Sequence, residues 1–257
     1  MSISQPKTSA AGSPATAVVA YRARFDECGP DAILRASALL RWAQDIAWIH
    51  SERLGFGRDW YVERGLAWVV RGLALTIIEP IRMGASMDVA TSVPAFRKVM
   101  ARRRTEVRAA DGTLAAWADT DWVMTDIARG MPTRVPDRFP GLFPLAEKSF
   151  EPTRVVPSTI PESASRRAIT VRPHEVDPMV HANNATYLDW LDEALRDGPS
   201  ADVLSHLPRV YRLEYLLQAA LGAELVGAGW GAGDGSIRYH LLDANGRDIF
   251  RAEVSRA

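Results

Sequence analysis

The sequence predicts an α+β fold made of two copies of one unit, in which an antiparallel sheet wraps around a long helix. Each half of the chain shows, in the same order, a strand, a helix and a run of further strands. An offset of 148 positions relates Arg24 to Arg172 before the helices, and the same offset relates Trp42 to Trp190 within them. A shared offset across two elements indicates an internal repeat.

The first half opens with a strand and a core helix. Alternation of apolar and polar residues predicts a strand over 18–25, and the turn-like sequence ECGPD follows at 27–31. Apolar residues recur at helical spacing over Ser37–Leu54, and Gly55 supplies a stop. A connecting segment around 60–65 leads to the predicted antiparallel strands Trp68–Glu79, Ser86–Ala95, Val99–Ala109 and Thr113–Met124. Asp111 and Gly112 mark a hairpin turn between the last two.

The second half repeats this order. We expect a helix over Asn183–Leu195 and strands over Thr170–Val176, Val210–Leu217, Ile237–Leu242 and Ile249–Val254. Seven prolines between 130 and 161 argue against regular structure there. The repeat offset shortens to 138 between Gly84 and Gly222, and to 134 between Gly112 and Gly246, as loops of different length would produce.

The predicted organisation is a flexible leader at 1–16, an amino-terminal repeat at 17–129, a linker at 130–165 and a carboxy-terminal repeat at 166–257. Two sheets that each wrap a helix describe a tandem hot-dog fold. The two copies should pair as the subunits of a hot-dog dimer do, with binding at their interface. The chain would then be a monomer or, through its exposed sheet edges, a homodimer.

Composition excludes several classes of function. The 31 basic residues balance the 31 acidic ones, so we expect no nucleic-acid partner and no attraction to an anionic membrane. The single cysteine, Cys28, allows no internal disulfide and no paired-thiolate metal site, which favours a reducing, cytoplasmic setting. No apolar run approaches the roughly 20 residues of a membrane span, and the first 16 residues lack the apolar core of a secretory signal.

The repeat also predicts where the chemistry lies, because only one copy carries certain polar residues. With the offset of 148, Asp177 corresponds to Gly29 and His181 to Ile33. The paired Asn183 and Asn184 correspond to Arg35 and Ala36 in the same way. We therefore expect a single active site, on the turn between strand and helix in the second copy.

That segment, RPHEVDPMVHANNATYLDW at 172–190, resembles the acyl-acyl-carrier-protein thioesterases of plants and bacteria. The resemblance extends to LLRWAQDIAWIH at 39–50, glycine-phenylalanine at 55–56, GLAWVV at 65–70, DTDWVMTD at 119–126 and LEY at 213–215, and covers roughly 18–254. It implies a double hot-dog fold and hydrolysis of an acyl thioester carried by acyl carrier protein or coenzyme A. No cofactor and no metal are expected.

Thioester hydrolysis requires a base or nucleophile and a group that polarises the carbonyl. Asp177 suits the first role, either by deprotonating water or by direct attack. Backbone N–H groups at the helix start, near Asn183 and Asn184, suit the second, although one of these asparagines is also expected to cap the helix. His181 would orient the carboxylate, hold the water or protonate the leaving thiolate.

Two positions depart from the family pattern. Met179 stands where the family has an asparagine, and a thioether does not position water through strong hydrogen bonds. Counting from LEY, the family's glutamate falls on Gln218 and its cysteine, where present, on Ala219. A glutamine holds water but does not take its proton. Two alternatives to hydrolysis therefore remain: a non-hydrolytic acyl-thioester-binding protein, or a hot-dog hydratase or dehydratase.

The first copy lacks the predicted catalytic residues and is expected to line the acyl slot. Its apolar residues Trp68, Val70, Leu73 and Leu75 are the candidates, with Trp42 and Trp48 setting the depth, although core packing explains them equally well. The basic residues Arg97, Lys98, Arg102, Arg103 and Arg104 are interpreted as a solvated strand edge. The alternative is a patch that steers an acidic carrier protein.

Overall fold

The structure, a computed structural model, describes residues 15–143, 145, 149–196, 203–204 and 206–256. Most of the predicted leader lies outside these residues. The helices are α1 (Ala36–Arg53), α2 (Arg58–Arg64) and α3 (Thr186–Arg196). The strands are β1 (Thr16–Arg22), β2 (Leu66–Ile77), β3 (Ser86–Arg97), β4 (Met100–Ala109), β5 (Leu114–Asp126), β6 (Met131–Pro132), β7 (Ser165–Thr170), β8 (Arg209–Tyr215), β9 (Glu224–Gly231), β10 (Ile237–Asp243) and β11 (Asp248–Arg256).

One antiparallel sheet runs through the molecule in the order β1-β3-β4-β5-β2-β8-β11-β10-β9-β7, with β6 beside β5. Helix α1 packs on β1 and β3, α3 packs on β7 and β9, and the two helices touch each other. The halves join where β2 pairs with β8, from Gly72 opposite Glu214 to Ile77 opposite Arg209. The predicted tandem hot-dog fold is therefore confirmed. Within the described residues, no helix is long and apolar enough to span a membrane.

The two halves repeat each other down to single hydrogen bonds. The indole of Trp42 donates to Glu27 Oε1 at 3.1 Å, and the indole of Trp190 donates to Glu175 Oε1 at 2.9 Å. Both pairs are related by the offset of 148 that the sequence predicted. Each bond ties the helix to the turn that precedes it, so both copies hold this turn in the same place.

A pseudo-two-fold axis passes between α1 and α3. Arg41 Nη2 lies 2.6 Å from Asp189 Oδ2, and these residues occupy equivalent positions in the two copies. In a symmetric dimer, two equivalent residues that meet on the axis are identical. Fusion of the copies in one chain allows opposite charges at that point, and Arg41 and Asp189 supply them.

Several elements differ from the sequence prediction, among them the short strand β6 and a 3-10 turn at Pro140–Leu142 in the segment predicted to lack regular structure. The strand predicted over Thr170–Val176 was wrong, because β7 ends at Thr170 and a 3-10 turn follows at Pro173–Glu175. The Glu175 carboxylate closes this turn by accepting the Arg172 N–H at 2.7 Å. Helix α2 forms in the predicted connecting segment. Strand β9 was not predicted at all.

Strand β9 escaped prediction because its sequence, ELVGAGWG, is rich in glycine, which weakens strands. The glycines serve tertiary packing. A Cβ added at Gly227 would lie 2.4 Å from the Tyr239 hydroxyl on β10, and one added at Gly229 would lie 2.9 Å from Leu195 on α3. Glycine is therefore required for the close approach of α3 and of the buried tyrosine to this strand.

The linker crosses the outer face of the sheet at the seam between the copies. The Thr153 N–H donates to Asp121 Oδ2 at 2.6 Å, and the Val155 N–H donates to Glu214 Oε2 at 3.2 Å. Gly72 lies directly below, and a Cβ there would stand 2.5 Å from the Thr153 carbonyl oxygen. Over these residues the linker follows a fixed path although it forms no regular strand or helix.

Candidate active site

A tight turn brings Asp177 and His181 together. The Asp177 N–H donates to the His181 carbonyl at 3.0 Å, and the Val180 N–H donates back to the Asp177 carbonyl at 2.9 Å. Val180 adopts φ +66°, as Ala32 does with φ +58° in the matching turn of the first copy. Asp177 Oδ1 lies 3.9 Å from His181 Nδ1, and both side chains are largely buried. The backbone of the turn thus sets the carboxylate beside the imidazole.

The hydrogen-bonding groups of the pair are only partly used. Asp177 Oδ1 accepts the Met179 N–H at 2.8 Å, which fixes the carboxylate, while Oδ2 accepts no hydrogen bond from the described residues. His181 Nε2 is buried and has no partner within the described part of the chain. A buried polar atom without a protein partner is expected to bind water or a ligand. The pair therefore offers a carboxylate oxygen and a ring nitrogen to a bound molecule.

Asn183 caps helix α3. Its Oδ1 accepts the Ala185 N–H at 2.9 Å, its own N–H donates to the Glu175 carbonyl at 2.8 Å, and its Nδ2 donates to Gln44 Oε1 of α1 at 3.4 Å. This Asn183 turn explains why α3 begins at Thr186 rather than at the predicted Asn183. Because the Asn183 N–H is already engaged, it is not free to polarise a carbonyl.

Asn184 provides the backbone donor that remains. Its N–H donates to no acceptor among the described residues, and it stands at the positive end of α3. Its carbonyl accepts the Tyr215 hydroxyl at 2.9 Å, which anchors the peptide to β8. Of the two backbone donors predicted from sequence, Asn184 is therefore the candidate that polarises a thioester carbonyl.

The segment around Gln218 lies against the turn. The Ala182 N–H donates to the Ala219 carbonyl at 2.8 Å, and His181 forms an isolated bridge with Ala220. The Ala219 N–H donates to the Tyr187 hydroxyl at 3.1 Å. Gln218 itself is exposed and forms no hydrogen bond with the described residues. It lies next to the site but is not held in it.

Two further features of the site were not assigned from sequence. Burial raises the pKa of Tyr187 to about 12, with a smaller contribution from the Asp177 charge, so this hydroxyl stays protonated and supports the backbone at Ala219. Gln44 reaches the site from the other copy. Its only sequence signal was a polar residue near the apolar stripe of α1. Met179 is 46% exposed and, with Val180, Leu217 and Leu221, forms an apolar rim beside the turn.

The apolar strand residues predicted to line the acyl slot pack in the hydrophobic clusters of the fold. Val70 belongs to the main core, and the Trp68 indole donates to the Tyr61 hydroxyl at 3.1 Å and packs on Phe139. Trp42 is buried against Tyr21. Trp48 is 40% exposed, so its side chain does not set the depth of an interior slot.

The basic cluster of β4 does not form a single surface patch. Arg102 and Arg104 point to the outer face. Arg102 donates two hydrogen bonds to Asp121, and Arg104 donates two to Asp119. Arg103 points the opposite way, into the interior. Neither the solvated strand edge nor a continuous carrier-binding patch describes these arginines, because strand alternation divides them between two faces.

The matching turn of the first copy keeps the backbone and lacks the chemistry. It lines a cavity of about 400 Å³, where Gly29 and Ile33 replace the aspartate and the histidine. The Asp31 carboxylate stands 2.8 Å from the place where a Cβ on Gly29 would lie, and accepts the Ile33 N–H at 3.0 Å. The carboxylate and imidazole meet only on the second turn.

Replacing Asn183 with alanine is expected to lower the free energy of unfolding by about 1 kcal/mol, because α3 loses its cap. Asn183→Asp should restore most of this stability, since aspartate caps helices equally well. Urea denaturation of the three proteins measures the differences. Equal loss in both variants would show that the contact with Gln44, and not the cap, provides the stability.

Acyl-ACP thioesterases are similar to this chain in sequence. The family described as "Acyl-ACP thioesterase N-terminal domain" matches residues 16–142. The chain is 24% identical over 237 residues to the chloroplastic acyl-[acyl-carrier-protein] hydrolase FATB2 of Cuphea viscosissima, covering 86% of this chain. The amino-terminal half of the chain, residues 16–142, therefore matches the domain of the acyl-ACP thioesterase family. The chain spans 58% of the length of that plant acyl-ACP thioesterase.

Solved structures of acyl-ACP thioesterases share the fold. The 12:0-ACP thioesterase of Umbellularia californica superposes with a TM-score of 0.80 at 20% identity, covering 96% of this chain and 98% of that one. An acyl-ACP thioesterase of Bacteroides thetaiotaomicron superposes with a TM-score of 0.76 at 16% identity, covering 93% of this chain and 96% of that one. Both likenesses extend over the two hot-dog units.

Proposed function

We propose that this protein hydrolyses acyl thioesters carried by acyl carrier protein, with coenzyme A as the other candidate carrier. The observation that carries the proposal is the pairing of Asp177 with His181 on one turn only, with His181 Nε2 buried and unpartnered within the described residues. The match of residues 16–142 to the acyl-ACP thioesterase domain supports it. We place the reaction in the cytoplasm, which the single buried thiol of Cys28 favours.

In the proposed reaction, Asp177 takes a proton from a water molecule whose oxygen adds to the thioester carbonyl carbon. The Asn184 N–H donates to the resulting oxyanion. When the tetrahedral intermediate collapses, the carbon–sulfur bond breaks and the thiolate receives a proton from His181. The proton that Asp177 took from water then passes to His181, which restores both groups. The products are a free acid and the carrier thiol. Direct attack by Asp177, with later hydrolysis of the anhydride, would use the same groups.

A panel of purified acyl carriers tests this proposal. Acyl groups of several lengths on acyl carrier protein and on coenzyme A are incubated with the protein, and the free thiol released is measured. We expect release that is proportional to enzyme concentration and faster on one carrier. No release above background on any carrier would overturn the proposal.

Gln218 favours a second candidate, non-hydrolytic binding of acyl thioesters, because its exposed amide neither takes a proton nor forms a hydrogen bond with the described residues. Met179→Asn and Gln218→Glu supply the polar groups that the family pattern has. If the native chain is a hydrolase, each change should raise kcat by about 5-fold, the value of one added hydrogen bond.

The control for these variants is Leu221→Gln, a polar change at another exposed position of the apolar rim. It should leave kcat unchanged. If the native chain releases no thiol and only the Met179→Asn, Gln218→Glu double variant does so, the non-hydrolytic function is correct and the hydrolytic one is wrong.

A further inference from the structure

The interiors of the two hot-dog units differ in a systematic way. With the offset of 134, Arg103 pairs with Thr120 where Ile237 pairs with Val254, and Thr105 pairs with Ala118 where Tyr239 pairs with Ala252. Ala116 likewise stands where the second copy has Phe250. Ile237, Tyr239 and Phe250 fill the second unit where the first has Arg103, Thr105 and Ala116, and the Tyr239 hydroxyl is the polar group that the second unit has at these three positions. The second copy therefore has no charged side chain at these three positions, whereas the first has Arg103.

Arg103 is a buried cation with no carboxylate partner among the described residues. Its Nη1 donates to His50 Nδ1 at 3.0 Å and lies 3.4 Å from Thr91 Oγ1. Burial lowers the pKa of this guanidinium to about 10, so it is still charged at neutral pH. Its neighbours Arg102 and Arg104 each form an ion pair with the carboxylate of an aspartate. Of these three arginines, the one that faces inward is the one without an anionic partner in the part of the chain that the structure describes.

A second polar group in this interior is unsatisfied. Thr105 lies two residues from Arg103 on the same face of β4, and its Oγ1 is buried without a hydrogen-bond partner in the described part of the chain. Burying a charge without a counter-ion costs several kcal/mol, and burying a hydroxyl without a partner adds to the cost. Such a pair is expected where a ligand supplies the missing partners.

This polar interior lies within reach of the catalytic turn. The inward residues Arg103, Thr120, Leu73 and Leu213 pair in register across β4, β5, β2 and β8. Tyr215, two residues farther along β8, contacts Asn184. Three strand spacings span about 14 Å, and an extended chain advances about 1.2 Å per bond, so roughly 12 bonds cover the distance.

We infer that the acyl group accepted by this protein carries a carboxylate at its far end, and that Arg103 binds this carboxylate. The inference rests on the proposed function. With the thioester at Asp177, an acyl chain of about ten to twelve carbons lying along the small residues of β4 and β5 ends at the guanidinium. A carboxylate there would accept hydrogen bonds from Arg103 and Thr105, and it would supply the missing counter-ion.

The test compares two thioesters of equal length on acyl carrier protein, one ending in a methyl group and one in a carboxylate. The native protein should hydrolyse the carboxylate-ended thioester about 10- to 100-fold more efficiently, the value of one charge-assisted ion pair. Arg103→Met should reverse the preference by slowing only that substrate. Arg212→Met, at an exposed arginine of β8, is the matched control and should change neither rate.

Stability separates a ligand-binding role from a structural one. Removing a buried, uncompensated charge should leave Tm unchanged or raise it in Arg103→Met. If this variant loses stability and slows both thioesters equally, the inference is wrong. A native protein that prefers the methyl-ended thioester also overturns it.

A binding measurement keeps the inference distinct from the proposed function. Tryptophan fluorescence with a linear diacid and with the monoacid of the same length should show tighter binding of the diacid, lost in Arg103→Met. Diacid binding of this kind without thioester hydrolysis would overturn the proposed function and leave the carboxylate site standing. Thioester hydrolysis without any preference for binding the diacid would support the proposed function and overturn the carboxylate site.

Discussion

Asp177→Asn is expected to lower kcat/KM for acyl-carrier-protein thioesters by about 10²- to 10⁴-fold, the usual contribution of a general base. The asparagine side chain retains an acceptor for the Met179 N–H, so the turn should keep its shape. What disappears is the negative charge of the carboxylate and its second oxygen, Oδ2, which accepts no hydrogen bond from the described residues and is available to take a proton. Measuring thiol release at several substrate concentrations, with circular dichroism to verify folding, provides the result.

The matched control is Asp31→Asn in the first copy. Asp31 also accepts a backbone N–H two residues on, and it lies on the turn equivalent to the catalytic one. It has no histidine across the turn, because Ile33 occupies that position. This variant should retain native activity. Loss of activity in Asp31→Asn equal to that in Asp177→Asn would contradict a single active site on the second copy.

The largest effect on stability is expected from Asp121→Ala at the seam between the two units. The Asp121 carboxylate is fully buried, receives two hydrogen bonds from Arg102 at 2.8 and 3.0 Å and accepts the Thr153 N–H of the linker. Removing one partner of a buried pair costs about 3–5 kcal/mol, because the other charge stays buried. The free energy of unfolding in urea should fall by that amount.

Glu193→Ala serves as the comparison. Glu193 Oε1 lies 2.7 Å from Arg167 Nη2, but both side chains are about half exposed. Exposed pairs of this kind contribute about 0–1 kcal/mol. Similar losses in Asp121→Ala and Glu193→Ala would show that the linker, rather than the buried pair, holds the seam. A change in the denaturant m-value would indicate that the two units unfold separately.

The location of the candidate site is a property of the sequence. Because the chain contains its unit twice, the second copy can be compared with the first, and the comparison isolates Asp177 and His181 on an otherwise shared turn. The same comparison predicts the helix–sheet order, since hydrophobic periodicity is a local property that survives in both copies. The fold class and the turn could therefore be derived from single positions and one offset.

The remaining features of the fold and of the candidate site depended on contacts between segments that are distant in the chain. Periodicity does not say which strand lies beside which, so the sequence did not reveal that Gly227 in β9 makes room for Tyr239. It also treated five basic residues as one group, although strand alternation sends Arg103 inward while Arg102 and Arg104 remain outside. Likewise, the Asn183 N–H is engaged by the Glu175 carbonyl, whereas the Asn184 N–H has no acceptor among the described residues.

The sequence by itself determined the repeat, the candidate catalytic turn and the family resemblance, because each depends only on residue identity and spacing. Tertiary structure alone decided what faces the interior, since burial and hydrogen-bond pairing arise only when segments far apart in the chain meet. Arg103 illustrates the difference most clearly. In the sequence it is one of several adjacent arginines, and in the fold it is a buried cation without a counter-ion among the described residues.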